Sequence, residues 1–349
     1  MKLAQCADCG YIGNQLFDPE KVAQGEEYAL SLSSSSMFRR FLSALAKRLA
    51  SRYKLDSKTV LEIGCGEGEF LREICKFGAS GGYGIDPMAR PRIEGANDCR
   101  VEFIRDRYSA KHRTLKVDFL CCRQVLDEVV EPRRMLELVR RHLLGRGQVP
   151  VYFEVPNAAN IFESMQIRNV MYEKASWFTP DALANLFNIC GFEVLSVEPC
   201  FHEGQYLGIE AMPMPARQWR RPGKRLPSGQ FVRALEAFDS RYERKIRAWS
   251  RRFRELHATG KRIMAWGSGA GGIHFFSALG ITSELVPYVV DINPKRQGKF
   301  LPLTGQLVVR PQRVRRFRPD MIVVTNATFV REIKRSVAEM GVTCDFWTL

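Results

Sequence analysis

The chain has 349 residues, which is too long for one ordinary hydrophobic core, so two or three domains are expected. Hydrophobic residues make up 45% and charged residues 26% of the chain, which excludes a largely disordered protein. No apolar run approaches the roughly 20 residues of a membrane helix, and the amino terminus has no apolar segment long enough for a secretion signal, so we expect a cytoplasmic protein with no membrane span.

The net charge of +15 favours anionic partners. The candidates are nucleic acid, an acidic surface and a phosphate-bearing small molecule. Basic residues are concentrated at 217–225, 247–257 and 313–319. No aromatic-rich RNA-recognition motif accompanies them, so a small phosphate-bearing substrate is favoured over nucleic acid. A solvated basic face without a dedicated partner is the alternative.

The ten cysteines are scattered, which is typical of reduced thiols and not of a disulfide scaffold. Cys6 and Cys9 form a C-x-x-C pair followed by Gly10. This spacing suits half of a zinc site, but a tetrahedral site needs four ligands and no second pair is present. Two unligated thiols in a short turn are the other interpretation.

In the first 30 residues, the pattern of apolar and polar residues is short and irregular. A helix is then predicted within 33–53, where Ser35 or Ser36 can cap it and apolar residues recur at helical spacing. Strands and helices alternate after it: strand 59–65, helix 68–78, strand 81–87, strand 116–126, helix 131–143 and strand 147–156. This alternation predicts a parallel sheet covered on both faces.

The pattern changes over 158–212. A helix is predicted within 177–192, with Thr179 as its cap, Pro180 at its first position and Gly191 at its end. A strand, a turn and a second strand follow over 193–213, as expected for antiparallel strands that close a sheet edge. The segment from Pro213 to Ser228 carries four prolines and five basic residues and marks a boundary.

A long charged helix is predicted over roughly 230–258, and strand and helix alternation then resumes. Strands are predicted at 261–267, 286–293 and 320–326, with helices at 271–280 and 329–341. This is a second, smaller α/β unit.

The segment "TVLEIGCGEGEFL" places three closely spaced glycines between a strand and a helix: Gly64, Gly66 and Gly68. Such a turn aims backbone N–H groups at a ligand, and glycine lets the ligand approach closely. Asp86 ends the next predicted strand, where its carboxylate can accept hydrogen bonds from ribose hydroxyls. A nicotinamide cofactor would use the same features.

Glu62 distinguishes S-adenosylmethionine from a nicotinamide cofactor as the candidate ligand. The pattern E-x-G-C-G-x-G resembles motif I of class I S-adenosylmethionine methyltransferases, whereas dinucleotide folds have G-x-G-x-x-G. The resemblance implies that Glu62 assists at the amino-acid end of S-adenosylmethionine and that Asp86 holds the ribose. We also expect Arg123 to contribute to the cofactor site.

A wider resemblance covers residues 6 to about 310. The segments "CADCG", "DFLCCRQVLDEVVEPRRML", "FEVPN", "YEKASWFTPDAL" and "AWGSGAGG…VVDINPKRQGKFLP" are similar to the three-part C-methyltransferases of nucleotide-linked deoxysugars. The resemblance implies an α/β class I methyltransferase (Rossmann-like) domain plus a second, smaller Rossmann-like α/β domain. The predicted parts are an amino-terminal arm left from a zinc-binding piece (1–30), the methyltransferase domain (31–212), a basic linker and long helix (213–258) and the C-terminal Rossmann-like domain (259–349).

The second glycine turn repeats the first. Gly267, Gly269 and Gly272, with Asp291 after the next strand, have the spacing of a nucleotide-binding turn. We expect them to hold the phosphates of a sugar nucleotide, helped by Lys295, Arg296 and Lys299. A Rossmann fold that only packs against the first domain is the alternative.

The chain departs from the family where proton transfer is expected. The family motif Y-H-E-H-F-S-Y-F is replaced by 171–178, so that Tyr172 and Lys174 stand in place of both histidines while Glu173 is kept. The motif R-H-V-L-E-H is likewise replaced by 123–128.

Methylating a carbon beside a ketone requires a base. Lys174 could serve if burial lowers its pKa, and Glu173 if an apolar site raises its pKa. Tyr172 or Tyr28 could donate a hydrogen bond to an enolate, and His202 is the alternative imidazole. We expect the acceptor to lie between the lobes, near Tyr28, Glu173, Lys174 and His202.

The sequence therefore predicts a methyltransferase that uses S-adenosylmethionine on a nucleotide-linked sugar or a related small molecule, at carbon or oxygen. The alternatives are a methyltransferase of RNA or another nucleic acid, and a protein that binds the cofactor without catalysis.

Overall fold

The computed structural model describes residues 1–22, 32, 34–96, 99–215 and 227–349. The strands are β1 Leu3–Gln5, β2 Ile12–Asn14, β3 Thr59–Ile63, β4 Gly81–Asp86, β5 Arg92–Ala96, β6 Cys99–Arg105, β7 Phe119–Arg123, β8 Val151–Pro156, β9 Ser176–Trp177, β10 Phe192–Cys200, β11 Tyr206–Pro213, β12 Ile263–Trp266, β13 Tyr288–Val290, β14 Leu307–Val309, β15 Met321–Val324 and β16 Asp345–Thr348.

The α-helices are α1 Ser36–Arg52, α2 Glu69–Cys75, α3 Pro132–Leu143, α4 Ala158–Glu163, α5 Pro180–Ile189, α6 Gly229–Glu236, α7 Phe238–Ala258, α8 Ala270–Leu279, α9 Arg313–Phe317 and α10 Val330–Glu339. The chain forms two compact units, and it passes between them at Asn160/Ile161, Met171/Tyr172 and Val232/Arg233.

The first unit is built on an eight-stranded sheet of order β10-β11-β8-β7-β3-β4-β6-β5. Strands β8, β7, β3, β4 and β6 run parallel to one another, as the alternation of elements predicts. The strands β10 and β11 close one edge in antiparallel pairing, which confirms that prediction too. The antiparallel partner β5 at the other edge is not evident from the sequence pattern.

The helix predictions in this unit are confirmed to within a few residues. Ser35 caps α1 by accepting a hydrogen bond from the N–H of Phe38, and the buried face of this helix carries Leu42, Leu45 and Leu49. Thr179 caps α5 by accepting one from the N–H of Ala182. These caps fix where the helices begin because they satisfy N–H groups that have no partner within the helix.

The amino-terminal arm differs from the irregular pattern expected there. Strands β1 and β2 pair with each other, and β9 adds to β2 through Ile12↔Trp177 and Gly13↔Ser176. Both Ile12 and Trp177 are buried. Because this pairing joins residues more than 160 positions apart, a local pattern cannot reveal it.

The second unit contains a five-stranded parallel sheet of order β14-β13-β12-β15-β16. The sequence predicts the three central strands but not β14 and β16, which are short edge strands. The helix predicted over 230–258 is divided at Ala237, whose ψ of −3° departs from helical values, so that α6 and α7 are separate.

One cysteine pair differs from the expectation of free thiols. Cys75 at the end of α2 and Cys99 at the start of β6 form a disulfide, with their Cα atoms 5.9 Å apart, and the other eight cysteines are free. The two residues are brought together because α2 follows β3 and packs beside the β4–β6 edge of the sheet. Among the described residues, no helix is both long enough and apolar enough to cross a membrane.

Candidate active site

The turn between β3 and α2 adopts a backbone that only glycine takes easily. Gly64, Gly66 and Gly68 have φ values of +73°, +53° and +81°. A Cβ on Gly64 would lie 2.1 Å from Cγ2 of Val125, and one on Gly68 would lie 2.2 Å from the Phe103 ring, whereas a Cβ on Gly66 would meet nothing within 4 Å. The turn is therefore packed on both sides and open in the middle, where a ligand can reach the backbone.

Asp86 faces the same turn. Its Oδ2 accepts a hydrogen bond of 2.9 Å from the N–H of Gly66, and its Oδ1 accepts one of 2.7 Å from the N–H of Met88. The residue is half-buried. Each carboxylate oxygen has a second lone pair, so the group can also accept bonds from a diol.

Glu62 lies inside β3, directly before the turn, and is only 2% exposed. Its Oε2 has no hydrogen-bond partner among the described residues. Burial raises the pKa of Glu62 to about 8, although the positive charge of Arg123 opposes this. An unpaired buried carboxyl is costly unless a ligand completes it, so Glu62 is suited to a cationic group.

Arg123 ends β7, and 10% of its side chain is exposed. Its Nη2 donates a 3.0 Å hydrogen bond to Oε1 of Glu154, and its guanidinium lies 5.0 Å from the centre of the Phe70 ring. Burial acts against its charge, but Glu154 and Glu62 outweigh burial and raise the pKa of Arg123. Arg123 thus contacts an acid of the neighbouring strand, while its buried Nε has no hydrogen-bond partner among the described residues.

Tyr172 does not present a free hydroxyl. The hydroxyl donates to the carbonyl of Leu16 at 2.8 Å and accepts from the N–H of Asp18 at 3.0 Å, while the ring stacks on Phe17. Through these contacts, residues 16–18 pack against the segment that precedes β9. They correct the expectation that this hydroxyl donates to an enolate.

Lys174 forms a buried ion pair with Asp127. Burial opposes the charge of the ammonium, but Asp127 and Glu128 outweigh it and raise the pKa of Lys174. The expectation that burial would make Lys174 a neutral base is therefore wrong. Glu173 is exposed, so the apolar surroundings expected for it are absent in this structure.

His202 is exposed and lies in the turn that follows β10. Phe201, His202 and Glu203 all have positive φ values, and Gly204 follows with φ +75°. Asn157 holds the turn by donating to the carbonyl of Gly204 at 2.9 Å. The turn is at the carboxyl edge of the sheet, but four strand steps of about 4.8 Å separate β10 from β3, so His202 is remote from the glycine turn. Tyr28 lies outside the described residues.

The second glycine turn connects β12 to α8. Gly267 has φ +108°, and a Cβ on Gly272 would lie 2.4 Å from the carbonyl oxygen of Gly267, so the helix approaches the turn closely. Asp291 is 5% exposed, and its Oδ2 accepts from the N–H of Ser268 at 3.0 Å and from Arg296 Nη1 at 3.2 Å.

Arg296 brings positive charge to this turn, since its Nη1 would lie 3.3 Å from a Cβ on Gly269. Lys295 and Lys299 are exposed on the loop that follows β13.

The C-x-x-C pair lies in the turn between β1 and β2. The N–H of Gly10 donates to the carbonyl of Cys6 at 3.0 Å, and backbone hydrogen bonds from Asp8 and Cys9 lower the pKa of the Cys6 thiol. Within the described ranges, no group of three or more His, Cys, Asp or Glu side chains is arranged to hold a metal ion. The described residues therefore add no further zinc ligands to Cys6 and Cys9.

The sequence pattern did not identify three residues that the structure links to the site. Glu154 accepts hydrogen bonds from Arg123 and Gln124, Asp127 pairs with Lys174, and Ser268 binds Asp291. A lone acid within the apolar strand "VYFEVP" is a signal that could have indicated Glu154, because buried charges need partners.

A parallel sheet with a glycine turn after one strand, and an acid at the end of the next that binds this turn, defines a nucleoside-binding Rossmann-like domain. Residues 35–197 match the family described as methyltransferase domain, and residues 230–343 match the family described as C-methyltransferase C-terminal domain. The chain is therefore an S-adenosylmethionine-dependent methyltransferase that carries both of these domains.

The chain is similar to the C-methyltransferase NovU of Streptomyces niveus, with 25% identity over 294 residues, which are 80% of this chain and 68% of NovU. A comparison with solved structures also matches an S-adenosylmethionine-dependent methyltransferase from Mesorhizobium loti, with a TM-score of 0.36 and 14% identity over 49% of this chain and 99% of that one. It likewise matches the magnesium protoporphyrin IX methyltransferase ChlM of Synechocystis PCC 6803 with bound SAH, with a TM-score of 0.38 and 12% identity over 55% of this chain and 90% of that one.

Proposed function

We propose that this methyltransferase acts on a sugar linked to a nucleoside diphosphate. The observation that carries the proposal is the second glycine turn. It reproduces the first in its hydrogen bonding: the N–H of Ser268 donates to Asp291 Oδ2 at 3.0 Å, as the N–H of Gly66 donates to Asp86 Oδ2 at 2.9 Å. The match of residues 230–343 to the C-terminal domain of C-methyltransferases supports the same conclusion.

The two turns differ in what they can still bind. Asp86 accepts only backbone N–H groups in the hydrogen bonds described above, and it is half-buried. Asp291 also accepts from the Ser268 hydroxyl and from Arg296. The first turn is therefore suited to the ribose of the cofactor. The second, where Arg296 lies beside the amino end of α8, is suited to phosphate.

The residues of the first unit fit S-adenosylmethionine. Glu62 offers an unpaired buried carboxyl oxygen to a cationic group, Gly66 leaves open space, and Asp86 offers lone pairs to a diol. When bound, the cofactor supplies an electrophilic methyl group on a sulfonium. The task of the chain is then to orient the acceptor in line with that methyl group.

The acceptor is expected over the carboxyl ends of β7 and β8, next to the glycine turn. Gln124, directly after β7, has φ +56° and donates to Glu154 Oε1 at 3.1 Å. Such a left-handed conformation is uncommon for a residue other than glycine and tends to occur at functional sites. In open α/β sheets, ligands bind at this edge.

The test is a methyl-transfer assay with isotopically labelled S-adenosylmethionine and a panel of nucleoside diphosphate keto-deoxysugars, the matching free sugars and total RNA. We expect transfer to one or more nucleotide sugars, and little to the free sugars. Arg296→Gln should raise KM for the nucleotide sugar and leave cofactor affinity unchanged. Transfer to RNA alone, or to free sugars as well as to nucleotide sugars, would refute the proposal.

A further inference from the structure

Glu154 is a fully buried acid in the apolar strand β8. Its Oε1 accepts hydrogen bonds from Arg123 Nη2 at 3.0 Å and from Gln124 Nε2 at 3.1 Å, and its Oε2 accepts one from the Tyr152 hydroxyl at 3.2 Å. The carbonyl of Glu154 also accepts from the N–H of Gln124 at 2.7 Å. A buried carboxylate is tolerated when it has partners of this kind. Glu154 thereby fixes the two residues that end and follow the neighbouring strand β7.

Glu154, Arg123 and Glu62 lie on three adjacent strands, because β7 is between β3 and β8 in the sheet. Arg123 is opposite Glu154, and Glu62 is opposite Cys121, two residues before Arg123. Since side chains alternate along a strand, the two acids and the guanidinium share one face. Arg123 donates to Glu154, while Oε2 of Glu62 has no hydrogen-bond partner in the part of the chain that the structure describes. The guanidinium is thus held on the side away from the cofactor turn.

Gln124 connects Glu154 to the cofactor turn itself. Its φ of +56° is a left-handed conformation, which persists in a residue other than glycine only where the surroundings hold it. The two hydrogen bonds to Glu154 supply that restraint. The next residue, Val125, lies directly against Gly64, since a Cβ on this glycine would be 2.1 Å from Cγ2 of Val125. The backbone at position 124 therefore sets where Val125 meets the turn.

We propose that Glu154 is a positioning residue of the cofactor site. It holds Arg123 away from Glu62, so that Oε2 of Glu62 stays available to the cationic group of S-adenosylmethionine. It also fixes Gln124 in the conformation that places Val125 against the glycine turn. Glu154 is fully buried and acts through these neighbours without contacting the cofactor. This inference concerns the cofactor site and does not depend on the identity of the acceptor.

The physical reason is the demand of a buried cation for a counter-ion. If Glu154 loses its charge, the guanidinium of Arg123 keeps Glu62 as the acid on its other side, and the positive charge of Arg123 already acts on Glu62. A buried charge without a partner is strongly unfavourable. Arg123 should then pair with Glu62 and occupy the oxygen that the cofactor needs.

The first experiment measures the affinity for S-adenosylhomocysteine by titration calorimetry, well below the melting temperature. Glu154→Gln should weaken binding by about 10–100-fold, the scale of one hydrogen bond to a charged group. Glu210→Gln is the matched control, because Glu210 is also a buried acid, 3% exposed, that pairs with Arg52 at 3.1 Å. It lies on β11, three strands from β3, and should lower the melting temperature without changing the affinity. A lower melting temperature with wild-type affinity in Glu154→Gln would overturn the proposal.

The double variant Glu154→Gln/Arg123→Met distinguishes this role from direct binding of the cofactor by Arg123. Replacing a buried ion pair by neutral side chains of similar volume is often tolerated, so the variant should fold. It should bind S-adenosylhomocysteine more tightly than Glu154→Gln alone, because no guanidinium is left to occupy Glu62. Equal or weaker binding would overturn the proposal, since Arg123 would not then be the group that blocks the site.

Gln124→Gly and Gln124→Val test the second contact. Glycine adopts a φ near +56° readily, so Gln124→Gly should keep the affinity for S-adenosylhomocysteine within about threefold. Valine resists this conformation, so Gln124→Val should weaken binding by about tenfold or more. Equal affinities in the two variants would show that the conformation at position 124 does not control the turn. None of these titrations contains an acceptor, so a failure to methylate nucleotide sugars would refute the proposed function and leave this result unchanged.

Discussion

The N–H of Gly66 donates a 2.9 Å hydrogen bond to Oδ2 of Asp86, and this bond joins the turn after β3 to the end of β4. The two residues are 20 positions apart in the chain. They meet because β3 and β4 are parallel neighbours, with Ile63 opposite Ile85. The carboxyl ends of both strands therefore reach the same edge of the sheet, where a bound nucleoside can contact both.

Asp86→Ala should weaken binding of S-adenosylhomocysteine by about 1–3 kcal/mol, because ribose hydroxyls and the N–H of Gly66 lose their acceptor. Titration calorimetry measures this directly. Asp118→Ala is the matched control, since Asp118 also accepts a backbone N–H, that of Thr59 at 2.9 Å, but does so before β7 and not after a strand. Unchanged affinity in Asp86→Ala would show that the ribose assignment is wrong.

Gly64→Ala and Gly66→Ala should distinguish the contribution of the glycine turn to stability from its contribution to cofactor binding. The new Cβ at position 64 would overlap Val125, so this variant should lose several kcal/mol of stability, on the scale of overpacking together with backbone strain. The Cβ at position 66 meets open space, so its cost is about 1 kcal/mol of backbone strain. It would nevertheless enter the volume proposed for the cofactor.

Thermal melting and calorimetry with S-adenosylhomocysteine measure the two effects of these glycine variants. We expect Gly66→Ala to melt near the wild type and to bind the cofactor product weakly. If Gly66→Ala binds normally, the open space is not the cofactor site.

Glu62 should make stability depend on pH. Its pKa in the folded protein is raised by burial to about 8, so the folded state holds a proton that the unfolded chain has released. The stabilisation from this proton is present at low pH and is lost as pH rises toward 8, with a slope of about 1.4 kcal/mol per pH unit from this one group. Glu62→Gln cannot titrate and should lack this component.

Melting temperatures of the wild type and Glu62→Gln between pH 5 and about 8 test this prediction. Their difference should shift in favour of the variant as pH rises. Parallel curves for the two proteins would mean that Glu62 is already ionised in the folded state.

Tyr172→Phe should loosen the amino-terminal arm and have little effect on the chemistry. The variant loses the acceptor for the N–H of Asp18 and the donor to the carbonyl of Leu16, at a cost of about 1–2 kcal/mol. Hydrogen exchange at Asp18 should become faster. A loss of turnover of about 10² or more, with exchange unchanged, would instead assign this hydroxyl to catalysis.

Glu173→Gln should change turnover by less than about tenfold and leave cofactor affinity unchanged, because the exposed side chain lacks the apolar surroundings that would make it a general base. A loss of about 10²–10⁴ in rate, the scale of a general base, with cofactor affinity unchanged would contradict this. Single-turnover rates and calorimetry with S-adenosylhomocysteine separate the two quantities. Glu163→Gln, outside the altered motifs, serves as the control, and equal losses of rate and affinity in Glu173→Gln would indicate a structural role.

The sequence alone determined the architecture and the cofactor turn, because both depend on local order. The alternation of apolar strands and amphipathic helices predicts the parallel sheet, and the spacing of Glu62, Gly64, Gly66 and Gly68 reports a backbone that few other residues adopt. Caps such as Ser35 and Thr179 are equally local, since a side chain binds an N–H two or three residues later.

The tertiary structure alone decided which side chains meet and in what charge state. The contact of Lys174 with Asp127, the use of the Tyr172 hydroxyl by Leu16 and Asp18, and the pairing of β2 with β9 all join distant positions. Whether burial or a neighbouring charge controls a pKa depends on distances in space, and these are absent from the order of residues. For that reason the sequence could name Lys174 as a candidate, but only the fold showed that it pairs with Asp127, whose charge raises the pKa of Lys174.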